Sequence, residues 1–301
     1  MKKTDWPIRW DLLLRYRLIE IIALWEGRLT TNHICHGFGI GRQQASKDIN
    51  TYLRELAPGN LVYDRHLKGY VPSASFRPVV TKGLPGEYID LLSRYDALSQ
   101  TFESLDISLP NSTMINAPCC SADPAVVRAI IAATRQNRQL DADYVSLIRP
   151  EPTPVTIEPH TLVCSGQRWH VRAWCEQRQG FHDFALSRFR GTPEVSSERS
   201  RHTSSQDDDW NRMVTVELRP DQRLSQSQRA IIAADFGMKD QRLILDSRAA
   251  LVEYLLALMG IPPRESRGDP MVHQLELANR ENLSPWLPAR NTPAVEVAGL
   301  H

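Results

Sequence analysis

The sequence predicts an α+β protein made of several domains, and three observations lead to that fold class. Hydrophobic residues recur at helical spacing through the first quarter of the chain, and short strand-like segments separated by turn residues fill its middle. Towards the C-terminus, strand and helix patterns alternate. At 301 residues the chain is also too long for one ordinary hydrophobic core. We therefore expect two or three domains, each able to fold on its own.

The N-terminal segment has the order of elements of a winged helix-turn-helix domain. Three amphipathic segments occur in succession, a glycine-rich stretch separates the second from the third, and two strand-like segments follow. On the third predicted helix Ala45, Ile49 and Tyr52 share one face, and polar or basic side chains occupy the other. We predict helices over residues 10–26, 30–36 and 42–56, a turn over 37–41 and hairpin strands over 61–63 and 69–71.

The middle of the chain begins with a helical connection. An amphipathic helix is predicted over residues 83–105, with an apolar stripe from Tyr88 through Tyr95 and Leu98 to Phe102 that needs a partner surface. The Pro- and Ser-rich stretch that follows is typical of a linker, which we place at 106–122.

The rest of the chain is richer in strands. A helix opens at Asp123, and a small antiparallel barrel follows. The polar, Asp-rich stretch at 196–209 has the composition of a solvated linker. Strands and helices then alternate to Gly260, and the proline-rich tail beyond it is predicted to be irregular. The predicted strands lie within residues 141–148, 153–164, 168–176, 181–191, 214–218 and 242–246, and the predicted helices at 224–235 and 248–259.

Positive charge concentrates at the N-terminal end, although the whole chain has a net charge of only +1. Residues 1–77 contain twelve Lys and Arg against seven Asp and Glu, a balance of +5, so residues 78–301 total −4. A basic module at one end is expected where one domain meets phosphate groups. The distribution therefore favours nucleic-acid binding through the winged helix.

The third predicted helix carries the side chains suited to DNA recognition. A helix fits the major groove, where its N-terminal residues reach base edges, and a glutamine amide pairs bidentately with adenine. Basic residues at the hairpin tip can follow the phosphate backbone or enter a minor groove. For both sets the alternative is a solvated polar surface. The candidate DNA-binding residues are Arg42, Gln43, Gln44, Ser46, Lys47 and Asn50 on the helix and Arg65, His66 and Lys68 on the hairpin.

Sequence signatures of catalysis, metal binding and membrane insertion are missing from the chain. It has no Walker lysine motif, no Gly-x-Ser-x-Gly and no His-Glu-x-x-His. Five scattered cysteines indicate reduced thiols, and the cluster His33, Cys35 and His36 lacks a second ligand pair at zinc spacing. No apolar run approaches the roughly 18 residues of a membrane span. We expect a cytoplasmic protein that is not an enzyme, has no membrane partner and needs no metal or cofactor.

Four short segments of the strand-rich region follow a recognisable order. They are YVS at residues 144–146, PHTL at 159–162, RWHV at 168–171 and FALSR at 184–188. On these segments, residues 143–190 resemble a WYL domain. The tripeptide that names the domain is degenerate here, because Trp169 is kept while His170 and Val171 replace Tyr and Leu.

The resemblance implies an Sm-like β-barrel that binds a regulatory ligand derived from nucleic acid. A guanidinium binds phosphate bidentately, and Tyr or Trp stacks on bases. His182 stands where relatives usually carry Arg; because His is only partly charged near neutral pH, anion binding would be weaker or pH-dependent. Arg190, on the same predicted strand face as Arg188, would supply the missing charge. The ligand-binding candidates are Tyr144, Ser146, His160, Trp169, His182, Arg188 and Arg190.

Structural roles stay open for three of these candidates. Tyr144 and Trp169 are alternatively core residues of the barrel, a role that we favour for Trp169. Arg188 is alternatively paired with a nearby carboxylate.

Two longer segments carry a closer resemblance. GRQQASKDINTYL at residues 41–53 and FHDFALSRF at 181–189 resemble the WYL repressors encoded beside anti-phage operons of the CBASS and BREX kinds. That resemblance implies a winged helix, a WYL barrel and a small α+β C-terminal dimerisation domain. We divide the chain into the winged helix-turn-helix domain at 1–80, a helical linker or dimer element at 81–122, the ligand-sensing barrel at 123–200 and the dimerisation domain at 210–301.

The resulting hypothesis is a repressor that regulates its own phage-defence operon. A homodimer would hold two winged helices on an inverted repeat in double-stranded DNA. A small nucleotide or single-stranded nucleic acid in the barrel would shift the dimer to a geometry that no longer spans both half-sites. Two alternatives stay open: a ligand-dependent transcriptional activator, and a module that binds single-stranded nucleic acid without operator specificity. The second leaves the polar face of the third helix unused.

Overall fold

The computed structural model describes residues 9–99, 121–166, 168–262 and 268–287. The chain divides into two compact units, Met1–Asn116 and Ala117–His301. Among the described residues, the first unit contains one hydrophobic core and the second contains two. Phe102 and most of the predicted linker, residues 106–120, lie outside the described residues. The side chains of Tyr95 and Leu98 are not described either, so the predicted apolar stripe is untested over these positions.

The first unit has three helices, a two-stranded antiparallel hairpin and a fourth helix. Gly27 ends the first helix in the left-handed conformation, with φ at 71°, which glycine adopts without a steric penalty. The third helix ends at Thr51 rather than at Leu56, and one π-helical turn continues to Leu56. The elements are α1 (Trp10–Glu26), α2 (Thr31–Phe38), α3 (Arg42–Thr51), β1 (Leu61–Asp64), β2 (Gly69–Pro72) and α4 (Pro85–Ser99).

One apolar core joins α1, α2 and α3. Ile19 and Ile22 of α1, Ile34 of α2 and Ile49 of α3 are fully buried, together with Tyr52. Burial of each such side chain contributes about 1.5–3 kcal/mol. The apolar side of α3 is therefore held inside the unit, and its polar side faces solvent.

A buried carboxylate holds the chain where it leaves the hairpin. Glu20 of α1 is fully buried and accepts hydrogen bonds from the Tyr52 hydroxyl and from the N–H groups of Val79, Val80 and Thr81, at 2.7–3.1 Å. The Thr81 hydroxyl also donates to it, at 2.8 Å. Glu20 thus joins α1, the π-helical turn and the segment that leads to α4.

The second unit contains a helix with a five-stranded antiparallel sheet, followed by a three-stranded antiparallel sheet with further helices. None of the helices described in either unit has both the length and the apolar character needed to cross a membrane. The elements are α5 (Pro124–Gln136), β3 (Arg138–Tyr144), β4 (Thr153–Cys164), β5 (Trp169–Cys175), β6 (Gly180–Ala185), β7 (Phe189–Arg199), α6 (Asp208–Asn211), β8 (Met213–Pro220), α7 (Gln226–Asp235), β9 (Leu243–Arg248), α8 (Val252–Leu258), β10 (Leu275–Leu277) and α9 (Arg280–Leu283).

The five-stranded sheet has the strand order β6-β5-β4-β3-β7, and α5 packs on it. Leu140 of β3 lies opposite Ile157 of β4, which lies opposite Cys175 of β5. These residues and Ile130 of α5 are fully buried in one core. A 3₁₀ turn, Leu186–Arg188, joins β6 to β7 at the two outer positions of the sheet.

The C-terminal sheet has the strand order β10-β8-β9. Alternate residues of β8, Val216 and Leu218, are fully buried and pack with Ile232 of α7 and with Val252 and Leu256 of α8. This alternation is the period-two pattern of a sheet with one buried face. The region is a separate α+β domain core, as the sequence predicts.

Two predictions about irregular segments are wrong. The stretch at 196–209 is not a solvated linker, because β7 continues to Arg199 and Asp207 is only 1% exposed. The tail after Gly260 is not wholly irregular, because β10 and α9 form within it. In the first stretch, Asp207 accepts from the buried Arg172, and the N–H groups of Arg201 and His202 donate to the buried Glu158. In the tail, Leu275 and Leu283 are buried in the C-terminal core.

Candidate functional site

The exposed side of α3 gathers polar and basic side chains along one shallow groove. Arg42, Gln43, Lys47 and Asn50 are exposed, and Ser46 is half-buried. Among the residues that the structure describes, no acidic one lines the groove, and the first turn of α3 contains none. The positive end of the helix dipole adds to the charge of Arg42, the first residue of α3. The groove is lined by Arg42, Gln43, Ser46, Lys47, Asn50, Thr51 and Arg54.

Gln44 is also exposed, but its amide is tied to the helix. Its Nε2 donates to Oδ1 of Asp48 at 2.7 Å, and Oδ2 of Asp48 lies 2.7 Å from Nε of Arg15 in α1. Asp48 and Arg15 are both buried. The candidate glutamine therefore stands above a buried ion pair that the amphipathic pattern of the sequence does not indicate.

The hairpin tip is a tight turn stabilised by Asp64. Its Oδ1 accepts hydrogen bonds from the N–H groups of His66 and Leu67, at 2.8 and 2.9 Å. Lys68 has φ at 49°, in the left-handed region. The three hairpin candidates, Arg65, His66 and Lys68, are all exposed at this tip. Leu29 and Tyr70 exchange both backbone hydrogen bonds at 2.8 Å, so the hairpin is fixed to the segment after α1.

The predicted ligand residues fall into two groups, of which the first lies around the 3₁₀ turn. Tyr144 is buried, its ring packs edge-on against Phe184 and Phe189, and its hydroxyl accepts the N–H of Ala185 at 3.0 Å. Tyr144 is therefore a core residue. The core role that we favour for Trp169 is wrong, because this side chain is 47% exposed where β5 begins. The first group contains Tyr144, Ser146, Trp169, Arg188 and Arg190.

Arg188 and Arg190 do not share a strand face, which corrects the sequence prediction. Arg188 closes the 3₁₀ turn, whereas Arg190 lies in β7 and donates to the carbonyls of Ser187 and Phe189. Arg188 is half-buried and pairs with no carboxylate of the described residues. Its carbonyl accepts the N–H of Val145 at 3.1 Å, which brings the neighbouring Ser146 close to this turn.

His160 and His182 form the second group, on either side of β5. Burial, with the nearby guanidinium groups of Arg178 and Arg172, lowers the pKa of His182 to about 4. An imidazole with this pKa is neutral at pH 7, in contrast to the partial charge near neutral pH expected from the sequence. The His160 side chain is only 6% exposed, and its Nε2 lies 3.2 Å from Oδ2 of Asp207.

Asp207 is the centre of a hydrogen-bond network that was not predicted from the sequence. Arg172 binds it bidentately, with Nε to Oδ2 at 2.7 Å and Nη2 to Oδ1 at 3.1 Å, and the N–H of Trp210 donates to Oδ1 at 3.1 Å. Burial alone would raise the pKa of Asp207, but hydrogen bonds from His160 and Arg172 outweigh it and hold this pKa well below its usual range. His160 is therefore committed to a structural partner rather than free for a ligand.

A second network connects the five-stranded sheet to α8 of the C-terminal domain. The Tyr254 hydroxyl donates to Oδ2 of Asp183 at 3.1 Å, and its ring lies 5.0 Å from that of His170. Burial raises the pKa of Asp183. Burial and the nearby Asp183 raise the pKa of Glu253 to about 6. Within this unit the two domains thus share partly buried polar contacts.

One group of possible metal ligands occurs in the described part of the chain. Glu158, Glu176 and His202 place one ligand atom each within 4.8 Å of one another. Glu158 is fully buried and already accepts hydrogen bonds from Gln139 and from the N–H groups of Arg201 and His202. These bonds account for the carboxylate without a metal. The His33 ring takes part in a capping box with Thr30 at the start of α2, which is a structural role.

Three domain families match the chain. Residues 11–94 match the BrxR transcriptional regulator winged helix-turn-helix domain, residues 125–192 match the WYL domain, and residues 213–283 match the BrxR transcriptional regulator C-terminal dimerization domain. The predicted α+β multidomain fold class is confirmed.

Relatives named DNA-binding transcriptional repressor CapW align with nearly the whole chain. The relative from Stenotrophomonas maltophilia is 30% identical over 93% of both chains. Those from Pseudomonas aeruginosa and Escherichia coli (strain KTE188) are 32% and 31% identical, each over 91% of both chains. The chain belongs to the CapW family. Membership confirms the resemblance to WYL repressors stated from the sequence.

For this CapW-family chain, the structure adds groove residues that the sequence analysis omitted from its candidates. Thr51 and Arg54 line the groove with Lys47. They lie four and seven residues after it, so helical spacing alone was a sufficient signal for both. The ion pairs of Asp48 and Asp207 had no such signal, because their guanidinium partners, Arg15 and Arg172, lie 33 and 35 residues away along the chain.

Proposed function

We propose that this chain is a dimeric, sequence-specific transcriptional repressor whose α3 enters the major groove of operator DNA. The observation that best supports the proposal is the groove of α3. In the described part of the chain, seven polar or basic side chains line this groove and no acidic side chain does. The opposite face of the helix is buried in the core, so α3 presents this surface on a rigid support. The relatives' name, DNA-binding transcriptional repressor, agrees with this role.

In this proposal the hairpin tip contacts the DNA beside α3. Arg65, His66 and Lys68 are exposed on a turn whose backbone is fixed by Asp64. Basic side chains on a rigid turn suit phosphate contacts or a minor groove. These contacts position α3 and strengthen binding without reading much sequence.

The match to a C-terminal dimerization domain supports the homodimer. Two copies related by a two-fold axis present two α3 helices, so the operator is an inverted repeat with half-sites one or more helical turns apart, about 34–36 Å per turn. The protein acts in the cytoplasm on the promoter of its own phage-defence operon. This regulatory role uses no catalysis and no cofactor.

A ligand derived from nucleic acid releases the repressor by binding around the 3₁₀ turn of the WYL domain. Trp169 offers an exposed ring for stacking on a base, and Arg188 offers a guanidinium without a carboxylate partner among the described residues. Ser146 lies next to the same turn. Arg190 is exposed nearby, and Tyr144 packs beneath. His160 and His182 contribute less, because one is bonded to Asp207 and the other is neutral.

The DNA-binding part is tested with gel shifts on the DNA upstream of the chain's own gene. The variant carries Arg42→Ala, Gln44→Ala and Lys47→Ala. A matched control removes the same charge and amide from exposed positions of α5, with Arg128→Ala, Arg135→Ala and Gln136→Ala. We expect the α3 variant to lose at least about a hundredfold in affinity and the control to bind as wild type. Unchanged binding by the α3 variant would overturn the proposal.

The ligand part is tested by fluorescence anisotropy of the same duplex. Addition of short single-stranded oligonucleotides should release wild-type protein, and Arg188→Ala should need a higher oligonucleotide concentration. A reporter fused to the promoter gives the sign of regulation: deletion of the gene raises expression for a repressor and lowers it for an activator. Lower expression would overturn the repressor assignment.

A further inference from the structure

Asp48 is an acidic residue buried beneath the side of α3 that faces solvent. It is 3% exposed and lies one helical turn after Gln44. Burial of a carboxylate carries a large desolvation cost, and a well-packed apolar residue would hold two helices together as well or better. The carboxylate therefore needs an explanation beyond the packing of α1 against α3.

The two oxygens of Asp48 have different partners. Oδ2 lies 2.7 Å from Nε of Arg15, and Oδ1 accepts from Nε2 of Gln44 at 2.7 Å. An ionised carboxylate only accepts hydrogen bonds, so the amide nitrogen of Gln44, and not its oxygen, must face Asp48. The carbonyl oxygen Oε1 is thereby turned away from the carboxylate, with the second N–H of Nε2 beside it.

Arg15 holds the carboxylate in place. Its Nη1 lies 3.2 Å from Oδ2 of Asp11, one turn earlier in α1, and its guanidinium stands 5.9 Å from the ring centre of Phe38. The guanidinium is thus constrained on several sides. The orientation of the Gln44 amide therefore depends on a series of contacts, through Asp48 and the buried Arg15, that begins at Asp11 in α1.

We propose that Asp48 is a positioning residue that determines which atoms of Gln44 are offered to the operator; this inference rests on the proposed insertion of α3 into the major groove. With Nε2 held by Asp48, Gln44 offers one acceptor, Oε1, next to one N–H donor. Adenine presents the complementary pair, the N6 amino group and N7, and cytosine presents an N4 amino group. Gln44 therefore selects a base that carries an amino group in the major groove.

Asp48→Asn reverses this orientation in a predictable way. Arg15 is only a donor, so it takes the amide oxygen of the new asparagine and leaves Nδ2 facing Gln44. Nδ2 donates, so the Gln44 amide must rotate to place Oε1 against it. The outward group becomes Nε2, a donor, which suits O6 and N7 of guanine or O4 of thymine.

The experiment selects binding sites from a pool of duplexes with a random central segment, using full-length wild type, Gln44→Ala and Asp48→Asn. Gln44→Ala should weaken the base preference at one base pair in each half-site. Asp48→Asn should change the preference at that same base pair from adenine or cytosine to guanine or thymine. The ratio of affinities for the two kinds of base should shift by about 5- to 100-fold. A residue that only stabilises the fold would weaken binding to all sequences alike.

A second variant covers the case in which Asp48→Asn does not fold. Arg15→Met with Asp48→Leu replaces the ion pair by apolar side chains, an exchange that is often neutral or stabilising. It leaves Gln44 free to rotate, so the preference at its base pair should relax to that of Gln44→Ala. Adding Gln44→Ala to this variant should then change nothing further at that pair.

The outcomes separate this inference from the proposed function. In one outcome, Gln44→Ala weakens the base preference at one pair, while Asp48→Asn and the apolar double variant keep the wild-type preference there. Asp48 then does not position Gln44, and the repressor proposal stands. If Gln44→Ala relaxes no base pair, the positioning inference also fails. If the α3 triple variant binds operator as wild type does, the proposed function itself fails.

Discussion

Replacing Glu20 with alanine should release the segment that follows the hairpin. The Tyr52 hydroxyl is fully buried and loses the acceptor of its proton, which costs about 1–3 kcal/mol. The N–H groups of Val79, Val80 and Thr81 lose hydrogen bonds to a charged group, each worth about 1.5–3 kcal/mol. Because this segment is partly exposed, water replaces much of that second loss. We expect the free energy of opening at residues 79–81 to fall by about 3–5 kcal/mol.

Hydrogen exchange followed by mass spectrometry measures this opening in the full chain. A loss of 3 kcal/mol should speed exchange at residues 79–81 by more than about a hundredfold. Glu20→Gln keeps one acceptor oxygen and should show a smaller acceleration. Glu55→Ala removes an exposed carboxylate of the same unit and should change opening by less than about 0.5 kcal/mol.

Two results would refute this reasoning. Unchanged exchange at residues 79–81 in Glu20→Ala would show that the carboxylate does not hold the segment. Equal acceleration throughout α1, α2 and α3 would show that Glu20 supports the whole core rather than the exit of the chain from the hairpin.

Three further predictions concern the hairpin, the DNA contact and pH. Gly69→Ala should destabilise the first unit by about 1–3 kcal/mol, because the new Cβ would stand 2.9 Å from the backbone oxygen of Leu29. Thermal unfolding measures this loss of stability. The control is Gly86→Ala, whose new Cβ meets open space and which should lose no stability. Lys47→Ala should reduce the slope of log affinity against log salt by about 1 in titrations on operator DNA, if Lys47 neutralises one phosphate; an unchanged slope would contradict that contact. The pKa of His182 is lowered to about 4, below its unfolded value, so the free energy of unfolding should fall by up to about 3 kcal/mol as pH drops from about 6.5 towards 4. Denaturant titrations at several pH values should show a flatter dependence of stability on pH for His182→Gln. Identical pH dependence in wild type and variant would contradict this prediction.

The helices of the first unit were predictable because their signals are local. Apolar spacing in α1, Gly27 after it and the two-faced pattern of α3 all lie within a few turns of the residues that they specify. The DNA-facing candidates follow from the same periodicity, so their exposure agrees with the expectation. The π-helical turn at Tyr52–Leu56 was not predictable, since helical periodicity does not distinguish it from an α-helical turn.

The ligand candidates were harder to place, because their environment depends on strand pairing. Tyr144 and Trp169 are both aromatic residues of strands, yet one is buried and the other is exposed. Which of them packs inward depends on register, and a shift of one residue reverses the face of every side chain. The burial of Asp207 also depends on strand pairing, because its partners come from β4 and β5. The polar composition around it predicted a solvated linker instead.

The contacts of Asp207 bear on how this regulator can be re-engineered. A chimera that joined a foreign domain to this C-terminal region by cutting at 200–206 would separate Asp207 from Arg172 and His160. The C-terminal fragment would then keep the carboxylate of Asp207 without its guanidinium partner. A graft that moves residues 124–211 as one cassette keeps all three together with Trp210. For exchanging the WYL domain, the boundary that keeps this network whole is thus after the short helix α6, and not within the polar stretch at 196–209.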